Sequence, residues 1–421
     1  MSFFKAEALQ DINFKKLLLS RIFTTFALQI QAVIVGWQIY QIEPSALLLG
    51  LVGLAEAIPA IAASFYSGHL VDTRRPYRVI LFALAALLLN SILLVMPSVE
   101  SLHFAAHEKI VLLFFGVFVS GAARSFISPA IFSLIPQILP KSLLSSASAF
   151  SSSTYQLSSI LGPALGGLLY GGFGATVAFC APPLLLLCSL FFLIQFDEKI
   201  KQIANNQRRE SFWLSLKTGL HFTFTHKMML STMSLDMFSV LFGGAVAVLP
   251  IFADQVFHTG AIGLGVLRAA PAFGSVIVGL WLAFRPLKIL SGKLLMMVIV
   301  GFGLTTIGFA LSSSFVFALL FLALSGAFDG VSMVIRGTFF QIMIPDHMRG
   351  RISALNSVFI TSSNEIGSFE SGLAASVMGL VPSVVFGGVM SVLIVGLVGF
   401  LVPGLAKTTV DRDGHLHLGQ V

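Results

Sequence analysis

The sequence predicts an all-α membrane protein of twelve transmembrane helices, arranged as two pseudo-symmetric six-helix bundles. Three observations lead to it. Of the 421 residues, 56% are apolar and only 10% charged, against about 25% charged in a soluble domain. Apolar runs of about 20 residues, the length needed to cross a bilayer, recur along the whole chain. Lys and Arg, 25 against 18 Asp and Glu, gather in alternate connections, as they do when basic residues are retained on the cytoplasmic face.

The first six spans are expected at 17–40, 46–68, 78–96, 109–134, 143–170 and 174–194, and the second six at 230–253, 262–284, 294–311, 315–335, 352–380 and 383–401. Residues 1–16 are polar and the run after them is long enough to span, so insertion is expected to begin with the first span and not with a cleaved signal peptide. Between the two sets, Lys199, Lys201, Arg208, Arg209, Lys217 and Lys227 mark a basic linker. Within it, Phe212, Trp213, Leu216, Leu220 and Phe224 are spaced to lie along a membrane surface as one face of an amphipathic helix. The expected organisation is an N-terminal bundle (1–195), a cytoplasmic linker (196–229), a C-terminal bundle (230–404) and a cytoplasmic tail (405–421).

Orientation follows from the basic residues. Of the 25, 22 fall in the N-terminal arm, in the connections after spans 2, 4, 8 and 10, in the linker or in the tail. Lys109 is an exception, and Arg124 and Arg268 lie inside spans. Both termini are therefore expected in the cytoplasm. The net charge of +7 reports this orientation and not nucleic-acid binding. Cys180 and Cys188 share one apolar run, offer neither a disulfide framework nor metal-ligand spacing, and are expected to pack.

The halves are related. An offset of 205 residues carries Pro140 to Pro345, Ser148 to Ser353, Gly162 to Gly367 and Gly167 to Gly372, and places Arg124 at the position of Asp329. Parallel duplication of a six-helix unit explains this, and such repeats recur in transporters that expose a central site alternately to each side of the membrane.

After span 2 the chain reads Gly68-His-Leu-Val-Asp72-Thr-Arg74-Arg75-Pro76-Tyr-Arg78. A small residue, an acid at a helix end and a tight basic loop can form a charge-assisted latch. In this position the pattern resembles the loop signature of the major facilitator superfamily, with Arg75 and Thr73 replacing a usual glycine and basic residue. The second-half counterpart, Gly279 to Arg285-Pro286, lacks the acid, so a latch is expected on one side only. Span 5 holds Gly162-Pro163-Ala-Leu-Gly166-Gly167, similar to the helix 5 signature of proton-coupled exporters in that superfamily. Glycines four apart permit close helix packing, and proline frees a backbone carbonyl. The narrower resemblance is to the branch of transmembrane secretion effectors that includes the enterobactin exporter and related drug and secretion transporters. It is carried by Gly121, Arg124, Ser128-Pro129-Ala130 and Ile135-Pro136-Gln137, and by Arg336, Gln341, Pro345-Asp346 and Arg349-Gly350-Arg351.

A charge inside the bilayer costs several kcal/mol unless paired, hydrated or neutralised, so each is a functional candidate. Glu56 in span 2, Asp236 in span 7, Asp329 in span 10, and Glu365 and Glu370 in span 11 outnumber the intramembrane bases Arg124 and Arg268. A carboxyl balanced between burial and a nearby guanidinium can take up and release a proton. Glu56, Asp329 and Glu365 are the proton-coupling candidates, with Glu56 first because no base is near it in sequence. Any of the three can equally be the structural partner of an arginine. Arg124, Asp236, Gln31 and Asn364 are candidates for substrate contact or ion pairing, and Gln29, Gln38 and Asn356 offer further amides; packing between helices is the competing role of each amide. Glu370, beside Gly367, Ser371 and Gly372, is expected at a tight helix contact.

No catalytic constellation, zinc-site spacing or phosphate-cradling loop occurs, His103, His107, His415 and His417 included. A non-enzyme without metal or cofactor is expected, acting as a monomer in a bacterial inner membrane. The resemblance implies a proton antiporter exporting an organic small molecule such as a drug or siderophore. An importer or uniporter on the same fold is the alternative, and a non-transporting receptor or scaffold a more distant one. The orientation is tested by placing a cysteine at Asn205: it should resist an impermeant thiol reagent added to intact cells, and labelling from outside would refute it.

Overall fold

The computed structural model describes residues 6–197, 200, 212–285, 289–344, 348–410 and 416–417. α1 (Ile12–Ile42) opens on Asp11, whose carboxylate accepts from the backbone N–H groups of Asn13 and Phe14. α2 (Ala46–Thr73), α3 (Pro76–Leu93), α4 (Ala106–Ile138), α5 (Leu144–Phe173) and α6 (Ala175–Ile194) complete the first six spans. Pro76 begins α3, where a missing N–H costs nothing.

α7 (Phe212–Thr225) is the linker helix. Its Phe222 stacks on His226 with ring centroids 3.9 Å apart, while Lys217 and Phe224 are exposed. The side chains of Phe212, Trp213 and Leu216 are outside the described residues, as are Lys199, Lys201, Arg208 and Arg209 altogether. Spans 8 to 12 are α9 (Gly260–Phe284), α10 (Gly292–Leu311), α11 (Phe315–Met343), α12 (Arg349–Met378) and α13 (Leu380–Leu401). Span 7 is interrupted. α8 (Lys227–Gly243) stops at an extended Gly244, and the chain resumes through a 3₁₀ turn (Val246–Val248), one α turn (Leu249–Ile251) and a π turn (Phe252–Val256). Ser371 donates to the Gly244 carbonyl at 2.6 Å, supplying a partner that lipid cannot.

Ten helical segments among the described residues are long and apolar enough to cross a membrane. The remaining two of the twelve, α5 and α12, have 30 residues each but are diluted by Ser151–Ser153 in one and by Asn356, Asn364, Glu365 and Glu370 in the other. Phe82, Phe132, Phe284 and Phe400 are exposed on these helices, as apolar side chains commonly are on helices that cross a membrane. Cys188 is exposed in the same way. One feature was not foreseen: after a short α14 (Pro403–Lys407), tail residues form β2 (Thr409–Val410) and β3 (Leu416–His417), which continue antiparallel from β1 (Leu290–Ser291) in the connection before α10. Leu290 faces Val410, and Thr409 faces His417.

The chain divides into two units, one of Met1–Pro44, Ala55–Arg209 and Thr259–Ala269, the other of Ser45–Leu54, Glu210–His258 and Ala270–Val421. In the first, Leu17, Ile80, Leu84, Leu134, Leu186 and Leu193 form a buried core. Hydroxyls add to it: Ser189 lies 2.8 Å from both Ser20 and Thr24, tying α6 to α1. Such interhelical bonds contribute about 0.6 kcal/mol each in a membrane. The second unit buries Leu235, Leu295, Ile299, Ile335 and Phe339.

Each unit is closed by helices that touch backbone to backbone. In the first, Gly121 of α4 lies on the Glu56 backbone and Gly167 of α5 on Ala261 and Gly265. In the second, Gly326 of α11 lies on the Pro271 backbone and Gly372 of α12 on Ala46 and Gly50. The offset of 205 that relates the halves joins Gly121 to Gly326 and Gly167 to Gly372. It also joins the one-residue turns: Gly174 ends α5 and starts α6 with φ 85° and ψ 172°, and Gly379 ends α12 and starts α13 with φ 93° and ψ 164°. Only glycine enters that region without strain. Gly174→Ala and Gly379→Ala should each lower stability by about 1–3 kcal/mol in denaturation of the purified protein, whereas Gly172→Ala, at a helical site with no neighbour within 4 Å, should not.

Candidate functional site

In the first unit α2 and α4 cross where Gly121 replaces bulk, and one turn further along α4 Arg124 reaches Glu56, Nη1 to Oε1, at 2.7 Å. Pro59, one turn beyond Glu56, cannot donate to the Ala55 carbonyl and so loosens α2 at this place. Both side chains are partly exposed. Thus Arg124 faces Glu56, and Glu56, the carboxylate with no base near it in sequence, has one in space. Nearby in the same unit, Gln31 donates to Ser120 Oγ at 2.8 Å, and Asn90 donates to Ser120 Oγ and the Gly116 carbonyl, each at 2.9 Å. Gln31 is thereby buried in a bridge between α1, α3 and α4. Gln29 donates to Ser159, and Gln38 accepts from the Tyr170 hydroxyl. Arg268, more than two turns into α9, donates to the Ala32 carbonyl at 3.1 Å.

The second unit holds a different arrangement. Asp236 of α8 pairs with Arg336 of α11, and the same guanidinium lies 3.7 Å from Asp329. Arg336 Nε also donates to Ser332 Oγ at 3.1 Å. Arg336 and Asp236 are buried, whereas the Asp329 side chain is 39% exposed. Removing one member of a buried ion pair costs about 3–5 kcal/mol, because the other charge is stranded; Arg336 therefore holds α8 and α11 together. Its position is explained by α11 running to Met343, beyond the expected end at 335, so that Arg336 is two turns from Asp329 on one helix face. By sequence alone Arg336 falls among the cytoplasmic charges after span 10. Ser239 was also missed: it lies one turn from Asp236, is buried, and among the described residues has no partner for its hydroxyl.

Asn364 is exposed and Glu365 half-buried on α12, where Gly53 packs against the Glu365 carbonyl. Glu370 is half-buried beside Ser371, whose hydroxyl is turned to Gly244. In the connection after α2, Arg74 and Arg78 are exposed and Arg75 is half-buried at the start of α3, making no side-chain cap. The burial of Gly68 and the side chain of Asp72 are outside what is described, as are Pro286, Pro345 and Asp346 altogether. The span 5 glycines divide their work: a Cβ at Gly162 would meet Gln29 Cβ at 2.6 Å, one at Gly166 would meet Ile30 Cα at 3.2 Å, and one at Gly167 would meet Gly265 Cα at 2.9 Å. Two of these contacts are with α1 and one is with α9.

Twelve spans, a six-helix repeat and paired charges within the spans define a transporter of the major facilitator class. Residues 6–418 match the family model described as transmembrane secretion effector, and the chain belongs to that family. Among curated relatives, an uncharacterized MFS-type transporter, YjbB, of Bacillus subtilis (strain 168) is 28% identical over 381 residues, 89% of each chain. Similar solved structures include a bacterial homolog of the human lysosomal transporter Spinster (TM-score 0.74, 14% identity, 94% of this chain and 98% of that one). Others are the nucleoside transporter NupG (0.72, 12%, 92% and 99%) and a D-xylose–proton symporter (0.69, 13%, 92% and 97%). At these identities the structures share the fold. The chain is thus a multi-pass membrane transporter of small molecules, and its class is not one of enzymes.

Overpacking a tight helix contact costs about 1–3 kcal/mol. Gly166→Leu and Gly167→Leu should lose that much stability, and transport with it, while Gly172→Leu should keep both. Full transport by the first two at equal expression would show that the span 5 contacts carry no special weight.

Proposed function

We propose that this protein exports an organic small molecule, drug-like or siderophore-like, from the bacterial cytoplasm in exchange for protons by alternating access. The observation that carries the coupling is the uneven charge count in the second unit, where two carboxylates share one guanidinium. A fixed surplus charge in a membrane is costly, so it favours a site that gains and loses a positive charge during the cycle. The arrangement ranks Asp329, partly exposed and farther from Arg336 than Asp236 is, ahead of Glu56, which lies against Arg124. Glu365 remains a third candidate.

Export is supported by the family's description as secretion effectors and by Gly162-Pro163-Ala-Leu-Gly166-Gly167. The enterobactin-exporter branch is the narrower resemblance. The alternative, import, is favoured by structural relatives that include a D-xylose–proton symporter. An inner-membrane location with both termini cytoplasmic is supported by the basic-residue census, and the Bacillus relative supports a bacterial membrane protein. Asp72, Arg74, Arg75 and Arg78 are proposed as a gate on the first half, a role that Asp72→Asn would weaken.

The test is uptake or extrusion of candidate solutes by inverted vesicles with and without a pH gradient. Asp329→Asn should abolish gradient-driven movement and leave passive exchange, with Glu56→Gln and Glu365→Gln measured beside it. Retention of gradient-driven transport by all three, with unchanged pH dependence, would refute the coupling assignment.

A further inference from the structure

Beside the Arg336 cluster, α8, α10 and α11 line a small, partly open cavity of about 10 Å³, room for one water-sized occupant. Its polar lining is Asp236, Asp329, Ser239 and Ser332, and its other walls are Val240, Val298, Ile299, Phe302 and Phe328. The Ser239 hydroxyl is the informative group. Ser239 is only 4% exposed and its Oγ has no hydrogen-bond partner among the described residues. A buried hydroxyl without a partner costs about 1–3 kcal/mol, so the position implies an occupant that the hydroxyl serves.

We infer that this cavity binds one monovalent cation, held by carboxylate oxygens of Asp236 and Asp329 and by Ser239 Oγ. The charge count selects the ligand. Asp236 from α8 and Asp329 from α11 line the cavity, and Arg336 of α11 pairs with both from beside it; α10 contributes only apolar side chains to the lining. Their sum is one negative charge, which a single positive charge cancels. An anion is repelled, and an apolar occupant leaves the oxygens unpaired. A divalent ion overshoots by one charge. Arg336 does not compete for the space, because its guanidinium is engaged by Asp236 and Ser332. The 39% exposure of Asp329 supplies the way in.

The same single charge can arrive as a proton carried on Asp329 with a water at Ser239, or as Na⁺ coordinated directly. The inference rests on the transporter reading for its use, as the place where the coupling charge sits, but the binding is measurable without transport. The full-length protein in detergent is titrated with NaCl against choline chloride at constant ionic strength, with thermal unfolding as the readout. In parallel, its proton uptake is titrated in choline chloride. Wild type should show a saturable response in one arm: Na⁺-dependent stabilisation identifies sodium, and proton uptake that Asp329→Asn removes identifies the proton. Ser239→Ala should weaken that response about tenfold, and Ser239→Thr, which keeps the hydroxyl, should preserve it. A wild type silent in both arms overturns the site, as does a Ser239→Ala or Asp329→Asn protein that folds and responds like wild type. Saturable binding with no gradient-driven transport in proteoliposomes would leave the site standing and reject the coupling reading. Coupled transport with a silent site would do the reverse.

Discussion

Backbone contact at glycine is the constraint on which the two units depend. Lipid is as apolar as leucine, so burial of apolar surface does little to hold one membrane helix to another, and close packing with interhelical hydrogen bonds does most of it. Gly121 and Gly167 in one unit, and Gly326 and Gly372 in the other, let neighbouring backbones meet where a single Cβ would collide. The contacts in both units also involve short stretches from the opposite half of the sequence, Thr259–Ala269 and Ser45–Leu54.

The charges follow from these crossings. Gly121 brings α4 onto the backbone of Glu56, and Arg124, one turn away, then lies within reach of its carboxylate. In the second unit the equivalent crossing puts Gly326 on Pro271, which offers no side-chain charge. Asp329, the counterpart of Arg124, must find its base elsewhere, and Arg336 on its own helix supplies it.

Much of the fold is legible in the sequence, because lipid imposes a single strong rule of length and apolarity. That rule weakens where a span turns polar or breaks, and α5, α12 and the interrupted span 7 are the places where composition alone says least. The repeat is legible too, since glycines required by close contact recur at a fixed offset. The charge pairings are not. Glu56 and Arg124 meet through tertiary packing, and Arg336 stands one residue past the expected end of its span, where it is indistinguishable from the basic residues of a cytoplasmic connection. A hydroxyl such as Ser239 gives no signal in a chain rich in membrane serines until its surroundings are known.

Duplication therefore produced one scaffold with two chemistries. At equivalent positions the first half carries Arg124 and the second Asp329, an inversion of charge that the packing tolerates because the glycine crossings do not involve these side chains. The inversion decides where a mobile charge can act. Glu56 and Arg124 balance each other, and a proton added there would leave a guanidinium uncompensated. Around Arg336 the second carboxylate is in excess among the described residues, so adding a positive charge lowers the cost of burial and does not raise it. On physical grounds a positive charge lowers the cost of burial in the second unit, whereas in the first it would strand a guanidinium.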